Sequence, residues 1–354
     1  MKTRVPVTVV ERWTFSVKCS LLVLSAMLCS LSPLHAQQTY RASDPLEAAM
    51  QATDKGLEFL YKTQADDGGW TSPSYGKNTA VTALATIAFL ARGHVPGRGP
   101  YADCLERATA FLLANTSDAG VVAVAGSPAA PMYQHGLGTL ALAELYGMTR
   151  RPDIRQRLES AIGLIVRTQN DAGGWRYQAV KADADMSVTV MQLVALKAAM
   201  NAGMKVPQAT IDLGISYVKK SACAGGGFGY TPGAGPAQGA SPAGTLSLQM
   251  CGEYHAPQVL EGLEYLAKQP ITYGSGMFFY ATYYAAQAMN QAGGIYWLDW
   301  MPKMRAALLA NQATDGSWPG GGDSYAGGAG PAFPTAVACL VLSIDCHYLP
   351  IYQR

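Results

Sequence analysis

Two kinds of apolar stretch alternate along this chain. In the first kind, Leu158, Ala161, Ile162, Ile165 and Thr168 share one stripe while Arg155, Glu159 and Arg167 lie off it. That 3.6-residue period predicts a helix with one wet face. The second kind is apolar nearly all round, as in Ala80-Val-Thr-Ala-Leu-Ala-Thr-Ile-Ala-Phe-Leu90 and Val188-Thr-Val-Met-Gln-Leu-Val-Ala-Leu196. A helix of that composition has to be buried on most sides. Between the two kinds stands a short signature: Gln64-Ala-Asp-Asp-Gly-Gly-Trp70, Gln169-Asn-Asp-Ala-Gly-Gly-Trp175 and Gln312-Ala-Thr-Asp-Gly-Ser-Trp318. Each copy closes an amphipathic stretch with Gln, turns through acidic and small residues that permit left-handed backbone, and ends on Trp.

Weaker copies fill the gaps. Phe111 to Gly120 precedes Gly136 to Leu145, Gly225-Gly-Gly-Phe-Gly-Tyr230 follows Leu213 to Lys220, and Gly274-Ser-Gly-Met-Phe-Phe-Tyr280 follows Leu260 to Lys268. With the full copies they make an outer/inner helix pair six times over, at spacings of roughly 40 to 55 residues. An open solenoid needs polar capping repeats, yet Thr335-Ala-Val-Ala-Cys-Leu-Val-Leu342 near the C-terminus is as apolar as the middle. The pattern therefore predicts an all-α protein: a single α6/α6 toroid of two concentric rings, whose closure removes the need for caps.

The N-terminus follows a different pattern. Arg4, Arg12 and Lys18 precede the apolar run Leu21 to Leu28, which is short for a bilayer span and is followed by Pro33-Leu-His-Ala36. This reads as a signal peptide over residues 1–36, cut near Ala36, with the toroid occupying 37–354; an uncleaved anchor is the alternative. The expected location is periplasmic or secreted, with no integral membrane span after cleavage. A net charge of +2 with 14% charged residues gives no basic stripe and excludes nucleic acid as a partner. The cysteines beyond the signal are Cys104, Cys223, Cys251, Cys339 and Cys346; an odd count without CxxC spacing argues against a disulfide framework or a structural zinc site.

The QxxDGGW units, the sixfold pairing and the Gly-Gly-Phe-Gly stretch together resemble the terpenoid cyclase and protein prenyltransferase repeat superfamily, from about residue 45 to the end. The resemblance implies that the signature loops feed the N-termini of the inner helices around one mouth of a central cavity. Asp183-Ala-Asp185-Met-Ser-Val-Thr189 resembles the DxDD-type acid motif of squalene-hopene-type cyclases, with Asp183 and Asp185 matching its first two acids and Asp185 the proton donor. Met186 stands where the third Asp belongs. The other reading of Asp185 is an N-cap, a frequent role for Asp ahead of an apolar run. The prenyltransferase branch implies a zinc site with an Asp two residues before a Cys, and the stretch leading to Cys251 carries no such acid. Cys251-Gly-Glu-Tyr254 resembles the thioester motif of complement-type domains but has Tyr254 in place of the acylating Gln.

Other candidates surround that acid motif. His135 is the one His at a position the resemblance puts near the cavity, either as a base or as a hydrogen-bonded His at a helix start. Tyr75, Tyr133, Tyr280, Tyr283 and Tyr284 are candidate ligand contacts, able to stack on sugar or shelter an apolar chain, or else core aromatics. The expected protein is an exported toroid that binds a hydrophobic small molecule, a glycan or a protein partner, without metal or cofactor. The enzyme alternatives are an isoprenoid cyclase centred on Asp185 and a polysaccharide-active enzyme using Asp183, Asp185 and Asp323.

Overall fold

The computed structural model describes residues 45–349 and 351, so the signal peptide read at 1–36 lies outside the described residues. Helices α1 (Pro45–Thr63), α3 (Ala102–Ala114), α5 (Pro152–Thr168), α7 (Gln208–Lys220), α9 (Pro257–Ala267) and α11 (Gly294–Leu309) are the amphipathic set. They alternate with α2 (Thr79–Ala91), α4 (Pro131–Thr149), α6 (Met186–Asn201), α8 (Ala240–Met250), α10 (Phe278–Ala292) and α13 (Ala332–Leu342), with a one-turn α12 (Ala326–Ala329) ahead of the last. Each inner helix packs on the next, and α13 packs on α2, which closes the ring. The outer helices seat in the grooves so formed, α3 against α2 and α4, α5 against α4 and α6, α1 against α13 and α2. The described chain is thus an α/α toroid. A two-stranded hairpin, β1 (Thr71–Ser72) with β2 (Gly76–Lys77), is a small addition to the all-α expectation.

The signature has a mechanical role. Trp175 is buried, donates from its indole Nε1 to the Ile165 carbonyl on α5 at 2.8 Å, and donates its backbone N–H to the Thr189 hydroxyl on α6 at 3.0 Å. One residue thereby ties an outer helix to its inner partner. Trp70 repeats this with Leu60 and Thr82, and Trp318 with Leu308 and Thr335. Gln169 reaches the other way, from Nε2 to the carbonyls of Gly173 and of Thr210 on the next outer helix, both at 2.9 Å. Gln312 does the same to Gly316 at 2.9 Å and to Ala52 of α1 at 2.8 Å, so the last signature fastens the end of the chain to its beginning.

The glycines are needed where the turn meets the next helix. Gly173 has φ +98°, and a Cβ there would stand 2.1 Å from the Leu213 carbonyl oxygen of α7. Gly316, at φ +90°, presses on Lys55 of α1 in the same way, with 2.4 Å to the carbonyl oxygen. Both the left-handed backbone and the lack of a side chain are required. In the weaker copies Phe228 takes the Trp position and bonds Ser241 Oγ at 3.0 Å, while Val122 takes it in the second repeat.

The end of the ring away from the signature loops is covered by the chain's own tail. Residues 344–346 pack on α10 and α13, Leu349 and Ile351 are buried, and Arg92 at the end of α2 donates to Cys346 Sγ. Cys104, Cys223, Cys251, Cys339 and Cys346 are all free thiols.

Candidate functional site

Asp185 is the N-cap of α6, with extended backbone (φ −137°, ψ 162°) and a fully buried side chain. The Asp-x-x-x-Thr spacing explains its placement: Thr189 holds the Trp175 backbone, and one turn earlier Asp185 takes the orphan N–H groups of the helix start. Its Oδ1 accepts from Val188 N–H at 3.0 Å and from Ser187 Oγ at 2.6 Å. Oδ2 is buried, makes no direct hydrogen bond, and faces Arg176 Nε at 3.5 Å. Asp183, by contrast, is exposed and pairs with the same guanidinium at Nη1. The two acids, two residues apart in sequence, therefore share one arginine but not one environment.

A ring of phenols surrounds this carboxylate. Tyr133 of α4 shares a hydrogen bond with Ser187 Oγ at 2.6 Å. Tyr177 lies beside it with ring centroids 5.7 Å apart, carries the Arg176 guanidinium over its face at 5.1 Å, and shares a hydrogen bond with Tyr230. Burial, then Tyr177 and Asp185, push the Tyr230 hydroxyl well above an ordinary phenol. Burial does the same to Tyr133. Both therefore remain neutral phenols at any ordinary pH.

Three tyrosines of α10 form a second aromatic cluster. Tyr280 is buried at its hydroxyl, lacks a well-formed hydrogen bond, and is raised far above a normal phenol first by burial, then by Tyr133 and, more weakly, by Asp185. Tyr284 packs against it with ring centroids 5.0 Å apart and planes tilted by 60°, and Tyr283 meets Tyr284 edge-on at 4.9 Å. Tyr283 in turn is pushed up by burial and feels Glu144 on α4, which is not a neighbour of α10 in the ring. Tyr283 and Tyr284 belong to the packed interior, and Tyr280 is half-buried above them in the chain.

The remaining sequence candidates fall elsewhere. α4 begins at Pro131, so His135 is a full turn inside the helix rather than at its start. It is fully buried and occupies the position that Thr82, Thr189 and Thr335 hold in the other repeats, its Nδ1 accepting the Val122 N–H at 3.1 Å. Burial drives its pKa down to about 3, as expected of a neutral structural imidazole. Tyr75 lies in the hairpin turn beside Gly328. Asp323 spends Oδ2 on the Phe279 N–H and Oδ1 on the N–H groups of Tyr325 and Ala326, which leaves it no free oxygen for chemistry. Arg176, Tyr177, Ser187 and Tyr230 were not legible as site residues. Their signal was position alone, two of them directly after the signature Trp.

Among the described residues no three His, Cys, Asp or Glu side chains come together as metal ligands. Surface cavities of about 290 and 520 Å³ flank Trp300 among α9, α10 and α11, away from the phenol cluster.

With this geometry in place, known structures with the same architecture can be compared. A cellobiose 2-epimerase from Bacillus thermoamylovorans matches with a TM-score of 0.65 at 14% identity, covering 85% of this chain and 99% of that one. A type II terpene cyclase from Scytonema in complex with geranylgeranyl dihydroxybenzoate matches at 0.59 and 14%, covering 86% and 99%. A glycosidase in complex with glucose matches at 0.60 and 13%, covering 87% and 99%. At such identities the likeness concerns the fold alone. No family model matches the sequence, and no curated protein sequence matches it either.

Proposed function

We propose that this chain is an exported, divergent toroid of the cyclase/prenyltransferase repeat type that binds a ligand at the mouth built on Asp185 and does not carry out acid-initiated cyclisation. The observation that carries this reading is the surroundings of Asp185. Val188 N–H and Ser187 Oγ point donors at Oδ1, and Arg176 stands beside Oδ2. Each of these neighbours is a donor group turned toward the carboxyl oxygens, which uses Asp185 as an acceptor at the helix start, whereas protonating an alkene needs the carboxyl proton to be presented to the substrate.

One further observation supports it. Polysaccharide hydrolysis needs a second carboxyl group across the cleft, and Asp323 is consumed by backbone hydrogen bonds. The test is turnover of a polyprene substrate by the wild type and by Asp185→Asn. No turnover in either is the expected result; turnover that vanishes in the Asn variant would overturn the reading in favour of a cyclase.

A further inference from the structure

Five of the six repeats put a buried side chain into the seat between an outer helix and its inner partner: Trp70, Val122, Trp175, Phe228 and Trp318. The fifth does not, and its register is fixed from both sides. The residue ahead of the signature Gln bonds back one turn, Thr63 to the Phe59 carbonyl, Thr168 to that of Leu164 and Asn311 to that of Ala307. Gln269 does the same to Tyr265 at 3.2 Å. Pro270 therefore stands where the signature Gln stands elsewhere, and the amide that would reach α11 is missing. On the inner helix Met186, three residues before Thr189, donates its N–H to the Tyr230 carbonyl of the next repeat, and Phe279, three before Thr282, donates its N–H to Asp323. Thr282 is thus the counterpart of Thr189, and Leu266, four residues before Pro270, that of Ile165.

Between those two residues lies the cavity of about 290 Å³, lined by Leu266 of α9, by Phe278, Thr282 and Ala285 of α10, and by Trp300 and Met304 of α11. It adjoins the cavity of about 520 Å³ at Trp300 and Pro270. Ala285 follows Thr282 by three residues as Gly244 follows Ser241, and a Cβ on Gly244 would stand 2.6 Å from the Phe228 ring, so Ala285 faces the seat. Met304 stands where Gly56 of α1 lies against Trp318, eight residues before the signature Gln in each case, and its side chain is flexible enough to give way. The Leu266 carbonyl accepts the Gln269 N–H at 3.1 Å, just as the Leu308 carbonyl accepts the Asn311 N–H at 3.1 Å while also taking Trp318 Nε1 at 2.8 Å. A carbonyl oxygen has two lone pairs, so Leu266 keeps the one that an indole uses in the sixth repeat. The Thr282 hydroxyl, whose counterparts hold the Trp backbone, has no hydrogen-bond partner among the described residues.

Independently of the mouth at Asp185, we propose that this cavity is a binding site for a small planar bicyclic aromatic with a ring N–H, held as the protein holds its own indoles. An apolar cavity of about 150 Å³ takes benzene, so 290 Å³ has room for two fused rings. The N–H donates to the Leu266 carbonyl, and Phe278, Ala285, Trp300 and Met304 cover the rings. Among the described residues no charged one lines the cavity, so an ionic ligand would be desolvated there without a partner.

The experiment titrates the full chain, isotope-labelled at its Ala, Thr and Met methyl groups, with indole and with benzofuran, which has the same outline and no N–H. Indole is expected to shift the methyl signals of Thr282, Ala285 and Met304 saturably. Benzofuran should bind about threefold to tenfold more weakly, the worth of one neutral hydrogen bond. Ala285→Leu fills the seat and should abolish the indole response while the thermal midpoint holds or rises.

No saturable shift at these three methyl groups, or an Ala285→Leu variant that keeps its midpoint and binds indole as the wild type does, would overturn the site. Equal affinity for benzofuran would overturn the ligand class. If Ala285→Leu lowers the midpoint, the wild-type titrations with the two probes decide by themselves.

Discussion

Asp185 and Asp183 show how much a single residue's role depends on depth. Asp185, fully buried, serves a helix start; Asp183, two residues away, is a solvated partner of Arg176. Replacing Asp185 by Ala should cost about 0.5–2 kcal/mol, while Asn should be close to neutral, since it accepts the same Val188 N–H. Chemical denaturation of both variants checks this. Two other buried groups should shape the pH profile. Glu144 has both oxygens buried without a good hydrogen bond, and burial raises its pKa from about 4.5 to about 8. Between those values the folded state holds a proton that the unfolded state has released, so stability is lost as pH rises, by at most about 1.4 kcal/mol per pH unit. His135 acts at the other end: its pKa falls from about 6.5 to about 3, so its contribution is intact above the upper value and lost as pH falls through that window. Denaturant midpoints measured against pH should fall on both sides, and Glu144→Gln should flatten the alkaline arm only.

At the scale of the element, the signature is a three-way clasp. Its Trp joins an outer helix to its own inner helix, its Gln reaches the following outer helix, and its Gly allows the close approach. Trp70→Ala, Trp175→Ala and Trp318→Ala should each cost about 3–5 kcal/mol, as for a large buried aromatic. Equal midpoints for all three variants and the wild type would rule out the clasp. Gln312→Ala strips hydrogen bonds from the Gly316 and Ala52 carbonyls and should cost about 1–3 kcal/mol. Because Ala52 lies on α1, that variant should also speed hydrogen exchange in α1 relative to α7, a difference that a purely local loss would not produce.

At the scale of the whole molecule, ring closure and the tail over the far end tie the described helices into one body. The tail past α13 buries Ile344, Leu349 and Ile351, and the Ile351 backbone lies beside Glu144. Removing residues 344–354 should lower the thermal midpoint and, by wetting Glu144, reduce the alkaline loss of stability described above. Elemental analysis of protein purified without added metal should find no stoichiometric zinc. Stoichiometric zinc would instead revive a metal-dependent transferase.

What the sequence determined by itself was periodic. The alternation of half-wet and fully apolar helices, the repeated Gln-to-Trp unit and an apolar C-terminal helix are local patterns, and each constrains burial directly, so the closed toroid and the cap at Asp185 could be read from them. The degenerate repeats show where that legibility stops. His135 reads in the sequence either as a base or as a hydrogen-bonded His at a helix start; the ring packs it where other repeats place a threonine, and only burial reveals that it is a fixed acceptor. The aromatic run of α10 likewise reads as ligand contacts or as core; that Tyr283 and Tyr284 are buried depends on the helix's rotation about its own axis, set by neighbours far away in sequence. The cluster of Tyr133, Ser187, Tyr177 and Tyr230 about Asp185 joins two loops and two inner helices. No spacing rule encodes it, because which groups meet the buried carboxyl group is decided by burial, and burial belongs to the tertiary structure alone.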